Sequence, residues 1–330
     1  MNTMPISHVY WGMIGCGNVT EKKSGPAFSK TPHSTLVAVM ARDSEKAADY
    51  AQRHQVPRWY DNVDALLQDQ EVNAIYIATP PNVHADYAIR AMRAGKAVYV
   101  EKPMAMNSAE CAAMNQVSQE TGMPLFVAYY RRSLPNFLKI HELVHSGVIG
   151  DIRFVHLRIH NPPQAEEIAE NPQPRWRVNP EISGGGHFHD LASHQVDYLE
   201  YLLGDIHQVQ GMARNQAGLY VADDMVVANL EFASGVMGSG TWCFTVNPEQ
   251  RTDETQIIGS KGKISFAFFN DSPIRVETAA GLVEYPILYP EHVQQPLIQS
   301  IVEELRGEGI CPSSGITGAR ANWWLDQIVG

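Results

Sequence analysis

The chain has 330 residues, 44% hydrophobic and 18% charged, a globular composition with room for two domains of ordinary size. Its formal net charge of -11 makes most of the surface repel phosphate backbones, and no basic stripe offers the footprint of a nucleic-acid binder. No apolar run approaches the roughly 18 residues of a membrane span, and the opening segment lacks a secretory pattern. Cys16, Cys111, Cys243 and Cys311 are widely separated with no CxxC pair, so the expectation is a cytoplasmic protein without a membrane partner, a disulfide framework or a thiolate metal site.

In chain order, an apolar run over 8–14 enters Gly15-Cys-Gly17-Asn18-Val19-Thr20, and residues 24–29 suit a helix. Strand, glycine turn and helix is the order of a dinucleotide-binding unit: the first glycine permits the turn, and the second lets a pyrophosphate approach the helix N-terminus. Gly15, Gly17, Asn18 and Val19 are the expected contacts, and Thr20 stands at the third glycine position. A buried strand over 36–41 and a helix over 44–54 follow. Between them Arg42 suits a 2'-phosphate and therefore NADP, while the adjacent Asp43 suits the free ribose hydroxyl of NAD; both cofactors stay open, with NADP favoured.

Residues 74–78 form the next strand, broken by Thr79-Pro80-Pro81-Asn82; a helix runs over 83–94 and stops at Gly95. The strand over 97–100 ends in Glu101-Lys102-Pro103, and another helix covers 108–120. This alternation predicts an α/β doubly wound parallel sheet, a Rossmann domain over 1–125. Ligands of such sheets lie beyond the carboxyl ends of the strands, so Gly15, Ala41, Thr79 and Glu101 are expected along one crevice, with Lys102 over the cofactor rather than serving as a solvated cap.

The texture changes beyond Gly147. Residues 152–160 alternate Val155, Leu157 and Ile159 with His156, Arg158 and His160, a half-buried strand. Pairs at 225–232/236–244, 256–258/264–268 and 274–278/282–285 flank short turns and read as hairpins. The second domain, 126–330, is therefore expected to be α+β with a large, mostly antiparallel open sheet, one face apolar and the other open to substrate or subunit. Residues 161–180 form the longest loop-like insert.

The densest polar cluster runs from Ser183 through three glycines into His187-Phe-His189-Asp190-Leu-Ala-Ser-His194-Gln-Val-Asp197. On a helix Asp190, His194 and Asp197 share a face, and a carboxylate beside an imidazole fixes its tautomer and raises its basicity, as proton exchange with an alcohol requires. The glycines would let the backbone pass close to a ligand. Two other readings compete: a structural histidine satisfied by Asp190, and a metal site from His187, His189, Asp190 and His194. A helix cannot turn both His187 and His189 to one face, so no metal is expected.

These motifs resemble the glucose-fructose oxidoreductase, inositol dehydrogenase and rhizopine-catabolism family, written Gfo/Idh/MocA. The matching features are the glycine turn, Ala78-Thr-Pro-Pro-Asn-Val-His84, Glu101-Lys-Pro103, and the GGG-x3-D-x3-H-x2-D pattern from Gly184 to Asp197. The resemblance implies an NAD(P)-dependent oxidoreductase acting on a sugar, inositol or related polyol, assembled as a homodimer or homotetramer. It assigns Lys102, His194 and Asp190 to catalysis, with His194 as acid/base, and Thr79, Pro80, Asn82, His84 and Glu101 to the cofactor. Trp176 and Arg177 resemble the family's substrate-facing pair, joining Lys102, Asp190 and His194 around the substrate. The chain departs from the pattern at Thr20, at Ala192 and at Tyr130, a place often held by asparagine. A catalytically silent NAD(P)/sugar sensor and an NAD-dependent glycosidase are the rival readings; a sensor has no need of the proton-transfer residues, and a glycosidase would cleave glycosides with regenerated, copurifying cofactor.

Overall fold

The computed structural model describes residues 5–168 and 176–329. Two units are distinguished: one holds the chain up to Leu134 together with Pro290–Asn322, the other Pro135–Tyr289 with the terminal segment from Trp323. In chain order the first unit carries β1 Val9–Ile14, α1 Asn18–Lys22, α2 Gly25–Lys30, β2 Ser34–Met40, α3 Ser44–Arg53, β3 Arg58–Tyr60, α4 Val63–Gln68, β4 Ala74–Ile77, α5 His84–Arg93, β5 Ala97–Val100, α6 Ser108–Thr121 and β6 Leu125–Val127. The second continues with α7 Pro135–His145, β7 Ile152–His160, α8 Pro180–Ser183, α9 Gly186–Leu203, β8 Ile206–Arg214, β9 Met225–Phe232, β10 Met237–Cys243, β11 Thr252–Gly259, β12 Gly262–Phe266, β13 Ile274–Thr278 and β14 Gly281–Tyr285. Helix α10 Gln295–Leu305 belongs to the first unit, and α11 Gly315–Val329 begins in the first and ends in the second.

The first sheet has the order β3-β2-β1-β4-β5-β6, parallel throughout. Strands β4 and β5 are buried at every residue, because the crossover helices cover both faces and leave no position for an alternating polar side chain. Ile75, Ile77, Val98 and Val100 pack there with Ala88 and Met92 of α5 and Cys111 and Met114 of α6. The chain reverses direction across the sheet between β1 and β4, the switch point at which such folds hold ligands. Strand β6 straddles the division anticipated at 125/126, and 290–322 returns to this unit after the second sheet is complete.

The second sheet has the order β14-β13-β12-β11-β7-β10-β9-β8. All its pairings are antiparallel except β7 with β10. The three anticipated hairpins form as β9/β10, β11/β12 and β13/β14. One face is apolar: Val155, Leu157, Ile159, Leu230 and Trp242 are buried. Helix α9 covers it with Phe188, Val196, Leu199 and Leu202, and the Trp242 indole donates to Gln195 Oε1 at 2.6 Å while its ring meets Phe188 edge-on at 5.2 Å. The opposite face carries Phe154, His156 and Arg158 beside Met237, Ser239 and Thr241, matched residue by residue across β7 and β10.

Candidate active site

The first unit builds its part of the site from strand ends. Gly15 turns the chain at φ +104, and a Cβ there would stand 2.7 Å from the Ala78 carbonyl oxygen, so the turn after β1 is held against the end of β4. Gly17 is the N-cap of α1 with no side-chain cap, and Asn18 and Val19 open the helix, so this end of α1 faces outward with backbone alone. Thr20 occupies the third glycine position without disturbing it. Its hydroxyl donates to the Gly17 carbonyl at 2.8 Å, and its own carbonyl accepts from the Tyr50 hydroxyl at 2.8 Å. The need for a side-chain-free position has moved to Gly25, where a Cβ would collide with the Thr20 carbonyl and the Tyr50 hydroxyl. Between the two turn glycines, burial pushes the Cys16 thiol up to about 12, so it remains protonated.

Arg42 and Asp43 are both exposed just beyond β2, yet they are differently employed. Asp43 Oδ1 accepts the Lys46 backbone N–H at 3.1 Å and caps α3. Arg42 has no ion pair among the described residues.

At the end of β4, the Thr79 hydroxyl is buried with no hydrogen-bond partner among the described residues, a polar atom whose desolvation a bound ligand would offset. Pro80 is half-buried, and Asn82 is exposed in the short turn Pro81–Val83. His84 opens α5. Its ring is fully buried between two carbonyl oxygens, Nε2 2.8 Å from that of Thr79 and Nδ1 3.0 Å from that of Pro103, and so clasps the loop after β4 to the loop after β5. Both carbonyls favour a charged ring, but burial outweighs them and lowers the pKa.

Glu101 is likewise turned inward. Its Oε1 accepts from the Tyr76 hydroxyl and from Gln294 Nε2, each at 2.6 Å, and the Tyr99 hydroxyl donates to Gln294 Oε1 at 2.7 Å. The carboxylate thus anchors the chain beneath Lys102, whose backbone N–H lies 3.3 Å from Glu101 Oε2. Burial raises the phenols of Tyr76 and Tyr99 well above their usual range, so both remain donors. The Lys102 side chain itself is half-buried.

In the second unit each of the three glycines has a role within the protein. Gly184 closes α8 at φ +85, Gly186 opens α9 at φ +74, and a Cβ on Gly185 would run into the His189 ring. Helix α9 then carries Asp190, His194 and Asp197; Asp197 and His194 are buried and Asp190 is partly open. The Arg177 guanidinium lies 4.4 Å over the Trp176 ring and donates from Nε to Asp190 Oδ2 at 3.2 Å, which unites Trp176, Arg177 and Asp190. Arg177 and Asp190 border a cavity of about 250 Å³, lined also by His187, Leu191, Phe244, Arg251 and Phe269. The His194 ring stands 6.1 Å from the Phe269 ring, edge to face.

The neighbouring histidines diverge. His187 Nε2 meets Glu167 Oε2 at 2.9 Å, both residues buried, whereas burial pushes His189 down to about 4 against the opposing pull of Asp326 and the Gly185 backbone. Among the described residues no three His, Cys, Asp or Glu side chains gather as a metal site. Glu167, Arg251 and Gln294 were not legible as site residues: the first lies in an insert read only as a loop, the second in the connection from β10 to β11, which β7 separates in the sheet, and the third beyond the strand and helix pattern.

Two family descriptions match. Residues 9–129 match an oxidoreductase family with an NAD-binding Rossmann fold, and 137–265 match the GFO/IDH/MocA C-terminal domain. The chain is 42% identical over 326 residues to Oxidoreductase P35 of Formosa agariphila, covering 98% of this chain and 99% of that protein. Its fold is similar to levoglucosan dehydrogenase in complex with NADH and levoglucosan, with TM-score 0.87, 21% identity and 97% and 96% of the two chains covered. It is also similar to a 3-ketoreductase from Actinomadura kijaniata in complex with NADP and TDP-benzene, with TM-score 0.84, 21% identity and 97% of each chain covered.

Proposed function

This chain belongs to the Gfo/Idh/MocA family of NAD-binding oxidoreductases, and from that premise we propose that it transfers hydride between NADP, in preference to NAD, and a secondary alcohol or ketone of a sugar, inositol or related polyol. The observation that carries the proposal is the pairing of Asp190 and His194 one turn apart on α9, beside a cavity in which Asp190 is held by Arg177. The cofactor, when bound, supplies or accepts the hydride. The turn at Gly15 and Gly17 and the orphan hydroxyl of Thr79 fit it, and Arg42, with Asp43 occupied as a cap, fits its 2'-phosphate.

The remaining chemistry falls to protein groups. His194 takes the hydroxyl proton as the alcohol is oxidised and returns it in the reverse direction, with Asp190 one turn away on the same helix. The Lys102 ammonium stabilises negative charge on the reacting oxygen, and its backbone is fixed through the buried Glu101 network. Trp176 and Arg177 shape the sugar's surroundings. The second sheet supports assembly: its exposed face carries Phe154, Met212 and Met237 among polar side chains, which suits a homodimer.

The test is steady-state oxidation of NADPH and NADH with a panel of ketoses and inososes. His194→Ala is expected to lower kcat by about 10²–10⁴-fold and Lys102→Ala by about 10²–10³-fold. Unchanged turnover in either variant removes the role assigned to that residue.

A further inference from the structure

The cavity bordered by Asp190 carries two arginines among its described lining residues, in a chain whose net charge is -11. Arg177 and Arg251 line it against one carboxylate, Asp190, while His187 is engaged with Glu167. An exposed arginine is ordinarily a solvated surface charge. These two, however, are each held by Nε alone: Arg177 donates to Asp190 at 3.2 Å, and Arg251 donates to Asn161 Oδ1 at 3.4 Å. Among the described residues no further partner takes the Nη nitrogens of either. A guanidinium fixed through Nε presents its two Nη groups as a fork, the geometry that matches a carboxylate.

Size and charge narrow the ligand. At about 250 Å³ the cavity is smaller than the usual range for drug-sized ligands and accommodates one sugar ring rather than a nucleotide sugar. Among the described lining residues two guanidinium groups stand against one carboxylate, a balance that suits a monoanion better than a phosphate dianion. Asp190 repels an anion at its own end, so the acid group belongs beside Arg251 and the hydroxyl groups beside Asp190.

Building on the sugar oxidoreductase reading above, we propose that the substrate is a sugar acid, its carboxylate held by Arg251 with support from Arg177. Arg251 is then a specificity-determining residue at a position the sequence pattern did not single out.

The experiment compares paired sugars that differ only by the acid group: glucose and glucuronate, galactose and galacturonate, mannose and mannuronate. Turnover is measured with the cofactor, and equilibrium binding is followed separately by tryptophan fluorescence. At least one uronate is expected to exceed its parent by roughly 10- to 100-fold in both measurements, the range of a charge-assisted hydrogen bond. Arg251→Gln should collapse that ratio toward one, and Arg251→Lys should retain part of it, with unchanged thermal unfolding showing that both variants fold. Ratios near one for every wild-type pair, or a ratio that survives Arg251→Gln, overturn the proposal. A uronate that binds preferentially while no sugar is turned over supports the anion site and removes the hydride-transfer reading; turnover of neutral sugars without preference for any uronate does the reverse.

Discussion

Asp43 and Arg42 are adjacent, and their environments separate their roles. Asp43→Ala removes the cap of α3 and is expected to cost about 1 kcal/mol of stability by chemical denaturation, with little change in cofactor choice. Arg42→Ala should do the opposite, lowering the NADP-over-NAD preference in kcat/KM by roughly 10- to 100-fold, as loss of a charge-assisted phosphate contact requires. The sequence named both residues but could not divide them, because the division depends on the N–H of Lys46 reaching back to one carboxylate. His189 sets a pH window. Its folded pKa of about 4 lies below the ordinary 6.5, so the unfolded chain binds the extra proton first, and stability falls as pH drops from about 6.5 to about 4. The loss amounts to at most about 3 kcal/mol, and His189→Gln should flatten the slope by about one proton in urea titrations across that range.

At the scale of elements, legibility followed burial. Strands β1, β2, β4 and β5 were legible because helices on both faces demand continuous apolar runs, and α9 because Asp190, His194 and Asp197 repeat with the helical period. Strand β3 escaped with three partly exposed residues, and β8 because its outer positions are polar and Gly211 interrupts it where a Cβ would meet Ile328. The glycine run before α9 had a plain composition but an ambiguous purpose: only the fold shows that Gly185 makes room for His189. Gly25 carried no signal, since the third-glycine role is local in sequence but is satisfied here one helix later. Gly25→Ala forces a methyl onto a backbone carbonyl and a phenol, and a loss of about 1–3 kcal/mol or more is expected in thermal unfolding.

For the whole molecule, the apolar residues on the outer face of the eight-stranded sheet predict self-association. Light scattering should give twice the 36.6 kDa chain mass, and Phe154→Glu with Met237→Glu should shift the species toward monomer without unfolding it. The linear reading of two consecutive domains did not foresee the return of 290–322, because no local signal marks a segment whose role is to partner a distant carboxylate. Gln294→Ala tests that role: it deprives Glu101 and Tyr99 of a buried partner and should cost about 1–3 kcal/mol or more by denaturant titration.

Gln294 lies 193 residues beyond Glu101, so the ribosome delivers the two far apart in time. At ordinary elongation speeds the nascent chain holds Glu101 without this partner for roughly 10–40 s. The strand that presents Lys102 therefore matures late, and a released fragment ending near Tyr289 would behave as a loosened, protease-sensitive intermediate rather than as an autonomous cofactor-binding module.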